Sequence, residues 1–503
     1  MSWELIDITA KRAALTPERP AMAELRTGRT LSYAALDRRA LTTAGLLVRL
    51  GIAHGDRIAV LCRNRIAFFE LLFACGKLGA ILVPLNWRMP SAELLPLIAD
   101  SRPSILFYGE EDARCAAAIA GSGLRAIGLD DTGGDGYEAM LSATPPPAGA
   151  RTQWPADEIW YLLYTSGTTG VPKAVIQTYG MALANYVNLR EAVDLHSGDR
   201  SLNFLPLFHT AGINLHTLPV LMAGGFVSVL PGFDANSMIE LLAGAELDVF
   251  FAVPAVYQQL SLHPRFGEVD LSKVRSWGCG GAPLPDATVQ QFARRGALVC
   301  NGYGMTETGP TCFLMSPDWV TRKAGSIGKP QLLVSTRIVD TNGEDVADGE
   351  TGEIWISGPG ITPGYWNRPD ATKAAFHGRW LRSGDLVRRD ADGFHYIVGR
   401  SKEMFISGAE NVYPAEVENV LIEHPHILEA AVVAIPDARW GEAGRAYVLP
   451  RPGCRPEIGD LRRFCRERLA AYKCPKEFVI VRDFPRTAAG KVQKHKLKSE
   501  PPA

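Results

Sequence analysis

The densest concentration of chemistry-bearing residues is a ten-residue string, Tyr164-Thr165-Ser166-Gly167-Thr168-Thr169-Gly170-Val171-Pro172-Lys173. Its glycines permit unusual backbone angles, its hydroxyls can donate to anionic oxygens, and Lys173 adds positive charge. A triphosphate needs many donors converging on one place, and this string supplies them. It is not the Walker loop, because GxxxxGK[ST] is matched neither here nor at Gly490-Lys491, where Val492 follows the lysine. Taken by composition alone the string is also compatible with a plain connecting loop; the full ordered string is far more specific than its composition. No histidine has zinc-ligand spacing, His196, His216, His424 and His426 have no assignment, and no convincing Ser-His-Asp nucleophile is found.

A loop of this kind must be held by rigid elements. It directly follows the apolar run 159–163, which places it at the end of a strand. Upstream, the run 57–61 (RIAVL) precedes a helical pattern over 67–78, and 80–83 (AILV) follows. Further strand-sized runs are 104–108, 226–230 and 248–252. Short apolar runs separated by helix-length segments predict parallel strands with crossover helices. Between about 325 and 396 the texture changes to closely spaced strands and turns, with Asn342-Gly343 and Asp392-Gly393 as hairpin signals. This part should be antiparallel and barrel-like. Beyond Gly399 the pattern is α+β, with helices over 414–423 and 458–470 and strands over 429–434 and 478–481. The expected fold class is therefore α/β: a large domain over 1–399 with mostly parallel sheets and a small barrel-like part, and a small α+β domain over 400–503.

Composition excludes several partners. The chain has 503 residues with 53 Lys+Arg against 54 Asp+Glu, a net charge of −1, so nothing in the bulk charge favours nucleic acid or an anionic membrane. At 47% hydrophobic and 21% charged it can bury a large core. Its nine cysteines are scattered and lack a CxxC pair, which fits free thiols in a reducing, cytoplasmic setting. The N-terminal MSWELIDITAKRAALTPERP carries charges where a signal peptide needs its apolar core, so no secretory signal is expected. The uncharged stretch 202–233 is long enough to raise a membrane span, but prolines 206, 219 and 231 and glycines 212, 224, 225 and 232 cut it into core-sized pieces. No stable membrane insertion is expected, and the chain should act as a monomer or homodimer.

The phosphate string resembles the signature loop YTSGTTGxPKG of the adenylate-forming (AMP-binding) superfamily, in its acyl- and aryl-CoA synthetase branch; Ala174 stands in place of the last glycine and Tyr179 where many members have histidine. Gly280-Gly281-Ala282-Pro283-Leu284 resembles the segment whose backbone lines the adenine. Asn301-Gly302-Tyr303-Gly304-Met305-Thr306-Glu307-Thr308 resembles the next motif. The resemblance implies that Tyr303 stacks on adenine, Thr306 contacts the α-phosphate and Glu307 holds Mg²⁺, roles that suit an aromatic face and a hard oxygen ligand. Ser383-Gly384-Asp385 resembles the family's nearly universal aspartate, whose two oxygens accept from the ribose diol.

The stretch from Gly399 through Pro414 resembles the family's hinge motif, with Arg400 at a ribose contact and Lys402 at the pivot about which the small domain swings between two half-reactions. Gly408-Ala409-Glu410 corresponds to a segment lining the pantetheine tunnel in CoA-using relatives. Ala409 replaces a glycine there, a change that bears on the thioester step and not on adenylation. Trp440, in a PDxxWGE stretch, is expected along the pantetheine arm, and Lys473 near the CoA nucleotide. Lys491, in PRTxxGKV, matches the catalytic lysine that reaches the carboxylate and α-phosphate. The segment from Phe204 to Gly212 resembles LPLFHxxG, which puts His209 beside the substrate carboxylate, with Ala211, Gly212, Trp277, Gly278 and Gly280 as further pocket candidates. Small residues and no Lys or Arg among them favour a fatty or aromatic acid over a dicarboxylate.

The function implied is ATP- and Mg²⁺-dependent ligation of a small-molecule carboxylic acid to coenzyme A through an acyl-adenylate. The alternatives are a free-standing adenylation enzyme that loads a carrier protein, a luciferase-like oxygenase, and a nucleotide-binding pseudoenzyme. Trp440 favours CoA, and the retention of Lys491, Glu307 and Asp385 speaks against a pseudoenzyme.

Overall fold

A computed structural model describes residues 4–121, 123–131, 133–147, 149–165, 172–282, 284–407, 410–437, 440–486 and 492–499. The phosphate loop joins two antiparallel strands, Ile159–Thr165 and Lys173–Thr178, with Thr165 opposite Lys173 and Tyr164 opposite Ala174. Both are built from β-branched, aromatic and aliphatic residues that suit a buried, pleated surface. They form one side of a six-stranded sheet in the order Lys173–Thr178, Ile159–Thr165, Ile81–Pro84, Arg57–Leu61, Ile105–Tyr108, Ala126–Gly128, parallel from Ile159–Thr165 onward. The crossover helix Ile66–Leu78 is almost wholly buried, its two charges paired inside, Glu70 with Arg39 and Lys77 with Asp7 and Asp37.

A four-stranded sheet runs Arg200–Asn203, Phe226–Val229, Pro20–Glu24, Arg29–Ser32. The uncharged stretch 202–233 thus divides into the end of one strand, the helical segments Ala211–Leu215 and Thr217–Ala223, and the strand Phe226–Val229. No helix among the described residues is long and apolar enough to cross a membrane. A third sheet places Val249–Ala252, Ser276–Cys279 and Val299–Tyr303 side by side and parallel, with Phe313–Leu314 and Lys329–Pro330 added antiparallel.

The antiparallel part is a five-stranded, curled sheet of Ser335–Val339, Thr351–Ser357, Trp380–Arg389, Phe376–His377 and His395–Arg400. Asn342-Gly343 and Asp392-Gly393 both form turns, closed by Gly343 N–H to Asp340 O at 3.2 Å and Gly393 N–H to Asp390 O at 2.9 Å. A smaller C-terminal sheet follows, made of Glu410–Val412, Phe405–Ser407, Gly441–Pro450, Ile427–Asp437 and Glu477–Ile480, and carries the helices Pro414–Ile422 and Ile458–Arg466. The helix Ile458–Arg466 is four residues shorter than its apolar pattern, because the chain turns after Glu467 with Leu469 N–H still bonded to Cys465 O at 2.8 Å.

The large core is anchored by a cluster of tilted aromatics at the base of the phosphate hairpin. Trp154, Trp160 and Tyr179 lie 5.1–5.3 Å apart and are fully buried. Aromatic contacts at these separations add roughly 0.5–1.5 kcal/mol per pair beyond their burial. Tyr179 is therefore a core residue. It opens the helix Tyr179–Val193, whose N-terminus is capped by Thr178 accepting from Met181 N–H.

Candidate active site

The strand leaving the phosphate loop forms one wall of the site. Gln177 on that strand donates through Nε2 to Thr306 O at 2.9 Å, and Thr362 Oγ1 donates to Ile176 O at 2.7 Å. Thr362 N–H in turn bonds Glu307 O at 2.8 Å. These bonds fix the short helical turn Thr306–Thr308 against the hairpin. Glu307 is only 7% exposed, and its Oε1 accepts from Tyr365 OH at 2.9 Å. Burial and the Glu307 charge both push the Tyr365 phenol up, so it stays a donor. The Lys173 ammonium lies 5.2 Å from the centre of the Tyr365 ring. Ser166, Gly167, Thr168, Thr169 and Gly170 lie outside the described residues.

The second wall stands at the carboxyl ends of three parallel strands, the place where open α/β sheets bind ligands. Gly280, Gly281 and Ala282 follow Ser276–Cys279, the latter two exposed; Asn301, Gly302 and Tyr303 end the neighbouring strand. Pro283 lies outside the described residues. Tyr303 OH donates to Asp385 Oδ2 at 2.6 Å, while Arg400 Nε donates to Asp385 Oδ1 at 3.0 Å. Asp385 is 5% exposed and sits in register opposite Arg400 on the curled sheet. A carboxylate retains acceptor capacity beyond these two bonds, enough for a sugar diol. Gly304 is required for packing: a β-carbon there would stand 1.3 Å from Pro310 O.

One expectation for the acid pocket needs correction. Strand pleating puts Trp277 on the core side, 2% exposed, with its indole N–H bonded to Leu271 O at 3.2 Å and its ring against Phe250, Tyr257 and Phe292. Trp277 therefore supports the wall and does not line the pocket. The opposite face carries Gly278, next to Phe251 in register on the neighbouring strand. The Phe251 ring lies over both Gly278 and Gly280, close enough that a β-carbon at either would meet it at 2.8 and 3.1 Å. Across the ring's edge stands His216, at 5.9 Å between centroids. His216 is buried, which lowers it to about 4 and keeps it neutral. Phe251 and His216 were not among the expected pocket residues; the paired phenylalanines 250 and 251 were the signal, since alternation must send one of them away from the core. His209 is half-buried against Phe208, 4.8 Å between rings, in the turn that leads to Ala211 and the buried Gly212.

In the C-terminal part, Lys402 is exposed in the segment between His395–Arg400 and Phe405–Ser407. Glu410 pairs with Ser407 in a hairpin, and Gly408 and Ala409 lie outside the described residues. Trp440 is half-buried with Lys476 Nζ 5.4 Å from its ring centre. Lys473 Nζ pairs with Glu416 Oε1 at 2.6 Å, so any anion expected at Lys473 would have to compete with that carboxylate for the ammonium. Lys491 lies outside the described residues. Its neighbour in sequence Lys494 is gripped by Glu403 and Glu418, each at 2.8 Å.

No group of three or more His, Cys, Asp or Glu able to cage a metal is found among the described residues. The donor set fits Mg²⁺ nonetheless: that ion keeps several waters and is held by one or two carboxylates together with substrate phosphates, and Glu307 stands beside the phosphate hairpin.

Residues 9–366 match the family model of the AMP-binding enzyme and residues 416–491 that of the AMP-binding enzyme C-terminal domain. The chain is 39% identical over 489 residues to a feruloyl-CoA synthase of Amycolatopsis sp, covering 97% of both chains. It is 38% identical over 498 residues to an indoleacetate–CoA ligase of Aromatoleum aromaticum, covering 98% of this chain and 97% of that one. Among solved structures, o-succinylbenzoate CoA synthetase from Bacillus subtilis, in complex with its acyl-adenylate intermediate, superposes with a TM-score of 0.90 at 31% identity over 100% of this chain and 99% of that one. With both domain models matched and near-full-length relatives of this similarity, the chain belongs to the AMP-binding enzyme family.

Proposed function

We propose that this chain is an AMP-forming acid–thiol ligase that joins an aromatic carboxylic acid to coenzyme A at the expense of ATP. The observation that carries the reading is the Tyr303–Asp385–Arg400 assembly at the carboxyl ends of the parallel strands, with Glu307 on the same segment as Tyr303. An aromatic face, a diol-accepting carboxylate and a phosphate-facing hairpin are the groups an adenylate requires. The aromatic class is favoured by the Phe251 ring over Gly278 and Gly280, where a flat acyl group can stack, and by the acids that the relatives above handle.

A free carboxylate is a poor acyl donor, because oxide does not leave. Its attack on the α-phosphorus of ATP expels pyrophosphate and installs AMP as the leaving group; the thiolate of CoA then attacks the acyl carbon and AMP departs. In such transfers the protein mainly positions groups and stabilises developing charge. Asp385 and Tyr303 orient the nucleoside, while Thr165, Lys173 and Thr306 face the phosphates. Lys491 neutralises the α-phosphate and holds the acid's carboxylate, with His209 beside that carboxylate. Mg²⁺, when bound, supplies positive charge against the phosphate oxygens, and Glu307 is the residue that would hold it.

The domain that follows about residue 400 turns on Lys402 so that Glu410, Trp440 and Lys473 approach for the second half-reaction. The nine cysteines, free and mostly buried, fit a reducing cytoplasmic setting. The test is acid-dependent pyrophosphate release with a panel of aromatic, fatty and dicarboxylic acids. Release that is strongest with aromatic acids, followed by thioester formation on adding CoA, supports the reading. Release without thioester for every active acid overturns the CoA assignment and turns attention to Ala409.

A further inference from the structure

Tyr365 is far in sequence from both Glu307 and the phosphate hairpin, yet it touches each of them. Its hydroxyl donates to Glu307 Oε1 at 2.9 Å. Its ring face lies 5.2 Å from the Lys173 ammonium. Its backbone forms a bridge with Val175 on the strand leaving the phosphate loop, and its flanks are tied to the same strand by Ile176 N–H to Gly364 O at 3.1 Å and Trp366 N–H to Ala174 O at 2.9 Å. Its own N–H is held by Thr372 Oγ1 at 2.9 Å, which anchors the residue to the helix Pro369–Ala375.

These contacts have a chemical consequence. A carboxylate on a short turn can rotate about its side-chain bonds, and a hard cation with a strict octahedral shell binds poorly to a ligand that is not held in place. An outer partner that hydrogen-bonds a metal-ligating carboxylate sets its orientation and tunes affinity by about 10–100-fold. A tyrosine hydroxyl serves this end without adding a charge that would repel the ion or neutralise the carboxylate. The ring performs a second task, because its electron-rich face holds the Lys173 ammonium at the mouth of the phosphate hairpin.

We propose that Tyr365 is a positioning residue for nucleotide activation, orienting Glu307 towards Mg²⁺ through its hydroxyl and Lys173 towards the phosphates through its ring. The proposal rests on the adenylating reading above and names a residue through which Glu307 and Lys173 act together.

The test uses the full-length protein and Tyr365→Phe, which keeps the ring and the backbone bridge and removes only the hydroxyl. Equilibrium calorimetry, which requires no turnover, is run with MgATP and with AMP. AMP engages the nucleoside wall without the triphosphate, so its dissociation constant should stay within twofold of wild type. The dissociation constant for MgATP should rise about tenfold, as expected for loss of a hydrogen bond to a charged group. The Mg²⁺ concentration that half-saturates acid-dependent pyrophosphate exchange should rise in parallel, while thioester formation from supplied acyl-adenylate stays unchanged. Tyr365→Leu, lacking the ring as well, should weaken ATP binding in the absence of Mg²⁺, which Tyr365→Phe should not.

A parallel loss of AMP and MgATP affinity in Tyr365→Phe would show a general structural role and overturn the proposal. So would a MgATP affinity and Mg²⁺ dependence equal to wild type. A wild-type protein that binds neither nucleotide and exchanges no pyrophosphate would instead overturn the adenylating reading itself.

Discussion

Gly278 offers the most direct structural perturbation of the acid pocket. A β-carbon at this position would stand 2.8 Å from Phe251 Cδ2, about 0.6 Å inside ordinary van der Waals contact. Gly278 Cα is fixed in register with Phe251, so the strand cannot yield and the ring must. His216, in an edge-type contact with the ring at 5.9 Å between centroids, restricts where it can move. Overpacking of this kind typically costs about 1–3 kcal/mol in stability, and one misplaced methyl group in an apolar pocket changes kcat/KM by about 10–200-fold. Gly278→Ala is therefore expected to lower the melting temperature and reduce kcat/KM for aromatic acids by at least tenfold, with KM for ATP unchanged.

The clash has a named partner, so it can be relieved. Phe251→Leu in the Gly278→Ala background should recover most of the lost activity on small aromatic acids, giving a coupling of about 0.5–3 kcal/mol in a double-mutant cycle. The assay is pyrophosphate release over a ring-size series of acids for the wild type, both single variants and the double variant. Gly278→Ala with wild-type kcat/KM for every acid, or purely additive effects of the two substitutions, would refute the placement of the acid against Phe251.

Three further outcomes are expected. Asp385→Asn removes the charge that faces Tyr303 OH and Arg400, so AMP affinity should fall about 10–100-fold, the scale of hydrogen bonds to a charged group; calorimetry showing wild-type AMP affinity would remove Asp385 from the nucleotide site. Burial lowers His216 to about 4 from an ordinary 6.5, so the unfolded chain takes up a proton below about pH 6.5 that the folded chain refuses until about pH 4. Its contribution is fully present above pH 6.5 and is lost as pH falls through that window, by up to about 1.4 kcal/mol per unit. His216→Gln should flatten that part of the urea-unfolding profile, and an identical profile would contradict the assignment. Trp440→Ala should raise KM for CoA about tenfold while leaving acid-dependent pyrophosphate exchange intact; equal loss in both half-reactions would place Trp440 in the core of the small domain alone.

What the chain's own order of residues reveals depends on how local the determinant is. The run 57–61 is a strand at those bounds, and the turn pairs at 342–343 and 392–393 reverse the chain, because both effects act within a few residues. The hairpin Pro20–Glu24 and Arg29–Ser32 carries no local turn signal, since its turn is closed by Gly28 at φ 72° without a neighbouring Asn or Asp. The side on which Trp277 lies is not local in the same way: a glycine-rich segment marks the strand, whereas burial is decided by alternation against Phe250 and Phe292 from other elements. Tyr365 and Phe251 were invisible because their partners are supplied by the tertiary fold, Glu307 lying 58 positions from Tyr365. Glu416 likewise could not be foreseen as the partner of Lys473, 57 positions away.

Product identity tests the account most directly. The wild-type protein is incubated with MgATP and an aromatic acid without CoA, CoA is then added, and nucleotides and acyl products are quantified at both stages. The account predicts pyrophosphate and enzyme-held acyl-adenylate before CoA, then AMP and acyl-CoA in equal amounts after it. In Lys491→Ala the first stage should fail while thioester formation from supplied acyl-adenylate persists. Formation of ADP and phosphate in place of AMP and pyrophosphate, or no nucleotide turnover with any acid, would contradict it.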